Sequence, residues 1–239
     1  MKQLTIPYFN LRGSVIFPKT SMGLFIGRET SIQALQFAKN HNRGQILVIS
    51  QKRMEMSEPK GLKDMHKVGI ICKILNGVLL PDRTMKVALE GETLFQIQKL
   101  STKDGTGFAQ GWVLNTDSKI QKISEQTKEE LIELLVRLHP VFALQKKQDI
   151  LEHLAKKKKS TDFVNSLLKL SFNSEFLLKK PKAVTGAQNN KLPTPAQMKI
   201  YNDKVTKQLQ ILQEQKFARR LDLIRNLMKD EIVRVCQDL

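Results

Sequence analysis

Residues 7–28 read PYFNLRGSVIFPKTSMGLFIGR. Apolar side chains run through this stretch, yet Gly13, Pro18, Gly23 and Gly27 interrupt it. No helix survives Pro and Gly at that density, because the hydrogen-bond ladder breaks and the backbone entropy cost is high. An export signal is excluded too. Arg12, Pro18 and Lys19 cut the apolar run, and no small-residue cleavage site follows. The stretch therefore reads as a strand, a turn from Gly13 to Pro18 and a second strand, both in a folded β core.

The same grammar continues. LTIPYFNL at 4–11 favours an extended chain, with Pro7 confining it to a sheet edge or to its own ends. MGLFIG at 22–27 reads as a short buried strand. The period then changes: in ETSIQALQFAKN, Ile32, Leu35 and Ala38 share one helical face, with Phe37 nearby and Glu29 or Thr30 at the start. QILVISQ at 45–51 has the apolar centre of a central strand. MEMSEPKGLKDMH at 54–66 reads as a polar loop. VGIICKILNGVLLP at 68–81 and TMKVALEGETLFQIQKL at 84–100 pair across a turn at Pro81-Asp82-Arg83, and GFAQGWVLN at 107–115 completes the set. One helix among about six strands predicts a β-rich barrel or a pair of sheets.

Five ordered motifs make a family resemblance specific. Pro7, Leu11-Arg12 and Phe17-Pro18 form the first, and Leu24-Phe25-Ile26-Gly27-Arg28 with Ser31 the second. An apolar strand ending in Gln51-Lys52 is the third, and Val68 to Ile74 the fourth. The fifth is Leu80-Pro81-Asp82-Arg83-Thr84-Met85-Lys86-Val87 up to Glu90-Gly91. Residues 4–115 thus resemble the N-terminal substrate-binding domain of Lon-type ATP-dependent proteases. The departure is Arg83, where the family carries a turn glycine, so the turn type is open. The resemblance implies an α+β fold: a PUA-like pseudobarrel of strands with one embedded helix, followed by a helical subdomain.

Composition shifts near residue 118, from Gly, Val and Ile to helix formers and long charged side chains. The expected organisation is a β domain over 1–118, a helical subdomain over 119–180, a linker over 181–195 and a long helix over 196–239. Ser124 is placed to cap a helix whose face carries Ile132, Leu135 and Leu138, and Pro140 ends or kinks it. Leu144, Ile150, Leu151 and Leu154 mark a second helix, and a third starts near Thr161 or Asp162. Three prolines and a glycine make 181–195 a linker. Residues 196–237 hold neither Gly nor Pro. Tyr201, Val205, Leu209 and Leu212 form one stripe there, and Phe217, Leu221, Ile224, Met228, Ile232 and Val235 a cleaner one. One long helix, out of phase near Gln215-Lys216, accommodates both. It docks on the preceding helices or pairs as a coiled coil, so the chain is expected as a monomer or a homodimer.

The resemblance also sets limits. Full Lon proteases continue into an ATPase module and a Ser-Lys peptidase domain. This chain has no G-x-x-x-x-G-K-[ST] loop, and beyond residue 116 Gly186 is its only glycine. No enzymatic activity and no cofactor are expected. Two readings of that shortfall stand: a separate protein retaining only the recognition domain, or the N-terminal fragment of a full-length Lon protease. Met1 and the departure from the family after 116 favour the first.

Side-chain chemistry adds little catalysis. His41, His66, His139 and His153 share no metal-ligand spacing, and Cys72 and Cys236 lack a Cys-x-x-Cys partner, so no metal is expected and both thiols read as buried and free. His66 with Asp64 has no nucleophile beside it. Phe9, Phe17, Phe25 and Met22 either line a groove for apolar peptides or fill the barrel, and Phe25, set between glycines, fits the core. Met54 and Met56, in the polar loop with Lys52 and Arg53, are the expected exposed contact element for a partner. Formal net charge is +17. Lys156, Lys157, Lys158 and Lys159 are the densest candidate for polyanion binding, against a solvated helix end as the plainer reading. The expected function is a non-catalytic, cytoplasmic polypeptide-binding module. It would be an adaptor or regulator that recognises unfolded or degron-bearing polypeptides, or a protease in trans, with no membrane contact. RNA or other nucleic-acid binding through the basic surface is the alternative.

Overall fold

The computed structural model describes residues 3–114, 123–138, 194–214 and 216–237, with single positions 152, 154, 163, 164, 166 and 167. The chain forms two compact units, Met1–Thr116 with Pro193–Leu212, and Asp117–Leu192 with Gln213–Leu239.

In the first unit the strands are β1 (Leu4–Leu11), β2 (Ser21–Ile26), β3 (Gln45–Ser50), β4 (Val68–Leu79), β5 (Met85–Lys103) and β6 (Thr106–Leu114), with helix α1 (Glu29–His41) between β2 and β3. Their order is β2-β5-β4-β3-β1-β6, and β5 also pairs with β6, so five strands close a ring and β2 extends it. The 19 residues of β5 make this closure possible: Met85–Glu90 pair with β2, while Leu94–Lys103 pair with β6. Two glycines permit the tight approaches. A Cβ at Gly111 would stand 1.9 Å from the Gln96 carbonyl oxygen, and one at Gly91 2.3 Å from that of Phe17. Gly91 is the glycine of the fifth motif, so that motif is a packing requirement. The ring is filled by Ile6, Leu47, Ile49, Met65, Ile71, Phe95, Ile97 and Ala109.

β1 lies between β3 and β6 with Pro7 in mid-strand, rather than at a sheet edge or with Pro7 at a strand end as expected. Its residues 4–7 pair with β6 and residues 8–11 with β3. Pro7 sits at the changeover, where the β3 ladder has not begun, so its missing N–H costs no bond. Ile32, Leu35 and Ala38 of α1 are buried, and Phe37 meets Phe108 edge-on at 5.2 Å between centroids.

At the tip of the β4–β5 hairpin, Arg83 takes the family glycine's place at φ 64°. The Arg83 N–H donates to the Leu80 carbonyl (3.0 Å), and Asp82 Oδ1 accepts from the Thr84 N–H and hydroxyl (2.9 and 2.7 Å). The loop survives the substitution because Asp82 fixes its geometry, though a left-handed Arg strains it.

The expected single helix over 196–237 is two helices, α3 (Pro195–Gln213) and α4 (Phe217–Gln237). α3 opens with a capping box: Thr194 Oγ1 accepts from the Gln197 N–H (3.3 Å) and Gln197 Oε1 from the Thr194 N–H (2.9 Å), with Pro195 at the first helical position. The break falls at the phase slip. Glu214 holds it, its carboxylate accepting from the Lys216 N–H (2.9 Å) and its carbonyl from the Arg220 guanidinium.

In the second unit, helix α2 (Glu125–Leu138) is capped by Ser124, whose Oγ accepts from the Thr127 N–H at 3.2 Å. α2 packs on α4. Its buried face is Leu131, Leu134 and Leu135; Ile132 is only half-buried, and the Leu138 side chain lies outside the described residues. This turn relative to the expected face carries Glu130 to Arg225 of α4, Oε1 to Nε 2.8 Å. On α4, Phe217, Leu221, Ile224 and Met228 are buried together with Leu227, Ile232 is half-buried, and the Val235 side chain is outside the described residues.

Candidate functional site

Strands β2 and β4 of the first unit turn apolar side chains outward on either side of β5. The register aligns Phe25 of β2, Lys86 of β5 and Val78 of β4 in one row. Directly paired residues share a face, so all three point the same way. That way is solvent: Phe25 is 70% exposed and Val78 53%. Leu79 (55%) is exposed as well, but it pairs with Met85 and so belongs to the opposite face from Val78, and Leu75 (50%) is the extra residue of a bulge between Ile74 and Asn76. The bulge breaks the alternation locally and leaves Leu75 exposed. Lys86 Nζ stands over the Phe25 ring, 5.8 Å from its centroid, a cation–π contact.

Phe25 was expected in the core. Period-two alternation in β2 instead buries Met22 and Ile26 and sends Phe25 out. Phe9, Phe17 and Met22 do fill the interior. The missed signal was the alternation itself: residue 25 stands an odd number of positions from both Met22 and Ile26, so it had to differ in face from them.

The methionine loop is the reverse case. Met54 and Met56 are half-buried, not exposed. The Met54 N–H donates to Asn202 Oδ1 of α3 (2.7 Å), and Asn202 Nδ2 donates to Glu55 Oε2 (3.2 Å). Met54 Sδ lies 3.2 Å from where a Cβ on Gly13 would be, so the side chain packs against that glycine. The Met56 carbonyl accepts from Arg12 Nη2 (3.1 Å) and Gln51 Nε2 (2.9 Å). Lys52 and Arg53 are exposed, but Lys52 Nζ donates to the Lys63 carbonyl (2.9 Å) and Arg53 stands 4.0 Å from Asp64. The loop also contains a 3-10 turn, Leu62–Asp64, and the buried Met65.

No acid–base pair forms at His66. Burial, helped by Lys52, lowers its pKa to about 4, and Nε2 is buried without a partner, so the ring is neutral near pH 7. Burial pushes the Cys72 thiol far up, which leaves it an inert core group. Among the described residues no cluster of His, Cys, Asp and Glu is arranged for a metal, and no helix is long and apolar enough to cross a membrane. Lys156, Lys157, Lys158 and Lys159 lie outside the described residues.

Residues 5–180 match the family model of the ATP-dependent protease La (LON) substrate-binding domain. The chain belongs to this family. It is 42% identical over 98 residues to the Lon protease of Haemophilus influenzae, covering 41% of this chain and 12% of that protein. It is 34% identical over 137 residues to the Lon protease of Nitratidesulfovibrio vulgaris, covering 55% and 16%. The LON-type chain thus spans under a fifth of the length of these relatives. The N-terminal domain of Mycobacterium avium complex Lon protease has the same fold, with a TM-score of 0.57 at 13% identity, over 95% of this chain and 99% of that one. The five motifs lie within the matched segment, and the mixed α+β architecture is that of Lon N-terminal domains.

Proposed function

We propose that this LON domain recognises unfolded or degron-bearing polypeptides through the outward face of β2, β5 and β4, in the service of a Lon-type protease. The observation that carries the reading is the row of Phe25, Lys86 and Val78, whose two apolar side chains stand in solvent on one face. Unfolded chains differ from folded ones chiefly in displaying apolar side chains. A surface that selects them must itself be apolar, and a contiguous exposed patch of this kind marks an interaction site. The domain does no chemistry in this reading. It serves as an adaptor or regulator in the cytoplasm, or as the recognition end of a longer protease.

The test is binding of fluorescein-labelled, carboxymethylated α-lactalbumin, followed by anisotropy. Phe25→Ser with Val78→Ser should weaken binding about tenfold or more, since each large side chain contributes about 1.5–3 kcal/mol when fully buried. The melting temperature should not fall. Unchanged affinity in a folded variant rejects the patch. A labelled single-stranded RNA that binds more tightly than the polypeptide and is released steeply by salt favours the nucleic-acid alternative, which rests on the charge of +17.

A further inference from the structure

A second opening lies in the first unit, away from the Phe25 face. It is a cleft of about 420 Å³ bordered by β1 at Tyr8–Asn10, by Thr102, Gly105 and Gly107 at the β5–β6 turn, by the start of α1 and by Glu58-Pro59. It forms where two neighbouring strands part. The β1–β6 register runs from Leu4↔Gly111 to Pro7↔Phe108 and stops, although β1 continues to Leu11 and β6 begins at Thr106.

Backbone alternation tells what faces the gap. The Leu11 carbonyl accepts from the Gln51 N–H (2.9 Å), so Leu11 is turned to the β3 side. Successive residues of a strand present their N–H and C=O groups to opposite sides. Phe9 is therefore turned to β3 as well, and Tyr8 and Asn10 to the β6 side, where Gly107 still stands against Tyr8 and Asn10 opens on the cleft. By Asn10 the β6 ladder has ended. The Asn10 side-chain Oδ1 is itself buried without a hydrogen-bond partner. Buried polar groups in this condition are uncommon and mark strain or a missing partner.

We propose that this cleft takes an extended polypeptide segment, added as a short strand along β1 between Tyr8 and Leu11. The four residues after Pro7 span about 13 Å at a strand's rise, a length suited to a short extended segment and not to a folded element. Main-chain donors and acceptors along such an edge are met by another main chain, the basis of strand addition. Charge argues the same way. Although the chain carries +17 overall, the cleft is lined by Glu29 and Glu58 against Arg28 alone, and Arg28 Nη2 already donates to Gln51 Oε1 (2.9 Å). A polyanion finds little there, whereas a neutral or lysine-bearing strand does. This proposal deepens the polypeptide-recognition reading by adding a main-chain site to the apolar face, and it does not need that face.

The experiment uses the full chain and a ten-residue Val/Thr/Lys peptide without stable structure of its own. Amide exchange is followed by NMR, and affinity by anisotropy of the labelled peptide. Saturating peptide should slow exchange of the Asn10 amide at least tenfold. Thr30→Trp and Thr102→Trp, which plug the cleft from α1 and from β5, should each weaken the peptide at least tenfold with unchanged melting. Asn10→Leu should raise the melting temperature by removing the unmet acceptor and yet weaken the peptide, a combination that a purely structural role does not produce. In Phe25→Ser the Asn10 protection should persist. Binding that protects only β2 and β4 amides overturns the cleft and leaves the apolar face standing. Absence of any polypeptide binding overturns both. Protection of Asn10 by single-stranded RNA in place of the peptide overturns the assignment of the ligand.

Discussion

Two segments of the first unit carry apolar side chains that the core does not obviously need: the loop with Met54 and Met56, and the strand row with Phe25 and Val78. They end in opposite conditions. The loop is polar in sequence, yet its two methionines are half-buried, with Met54 held by Asn202 of α3 and packed on Gly13. The strands are apolar in sequence yet open, with Phe25 and Val78 in water. Local composition predicts neither. A loop is free only if no other part of the chain comes to it, and a strand is covered only if a second layer lies over its face.

Breaking the tie between α3 and the loop should have the largest effect on stability. Asn202→Ala leaves a partly buried Met54 N–H without its acceptor, and should cost about 1–3 kcal/mol by chemical denaturation. It should leave the lactalbumin affinity within twofold. A large gain in affinity would mean that the loop is a covered client site after all.

His66 sharpens the comparison at the loop's far end. Its folded pKa is about 4, below the ordinary value near 6.5, so the fold favours the neutral ring. The stability it supports is present above pH 6.5 and is lost as pH falls from 6.5 towards 4. Partial exposure of the ring reduces the effect to about 1–2 kcal/mol. His66→Phe should flatten that part of the stability–pH curve. An unchanged slope would show that other groups set it.

At the tip of the open hairpin, Arg83→Gly should stabilise by about 1 kcal/mol, because Gly enters the left-handed region without a Cβ penalty. A loss of stability would mean that the Arg83 side chain contributes more than its backbone costs.

Phe25→Ser should have the smallest effect on stability, within about 0.5 kcal/mol, as for a surface position. A drop of 2 kcal/mol would show that the ring is covered in solution and would erase the contrast between loop and sheet.

Much of the β unit was legible because its signals are local. Pro and Gly punctuation with β-branched runs placed all six strands within about three residues, and the 3.6 period marked α1. Ser124 was readable as a cap because the capping bond spans three residues. The candidate site was less legible. Phe25 sits between Gly23 and Gly27, which suggested tight burial, while its alternation with Met22 and Ile26 was the better guide. Asn202 and Met54 are 148 residues apart, and no window of sequence joins them. The break between α3 and α4 was visible as a phase slip but read as a defect in one helix. Thr194-Pro195-Ala196-Gln197, a capping box with proline at the first helical position, went unread in the assumed linker.

By itself, the sequence determined the elements and the family, because turn chemistry, periodicity and five spaced motifs act over a few residues each. Closure of the ring through β5 and β6, the parting of β1 from β6 beyond Pro7, and the choice of which apolar side chains meet water were decided only in three dimensions. Those outcomes depend on what lies across the sheet or over its face, and packing partners are set by the whole chain at once.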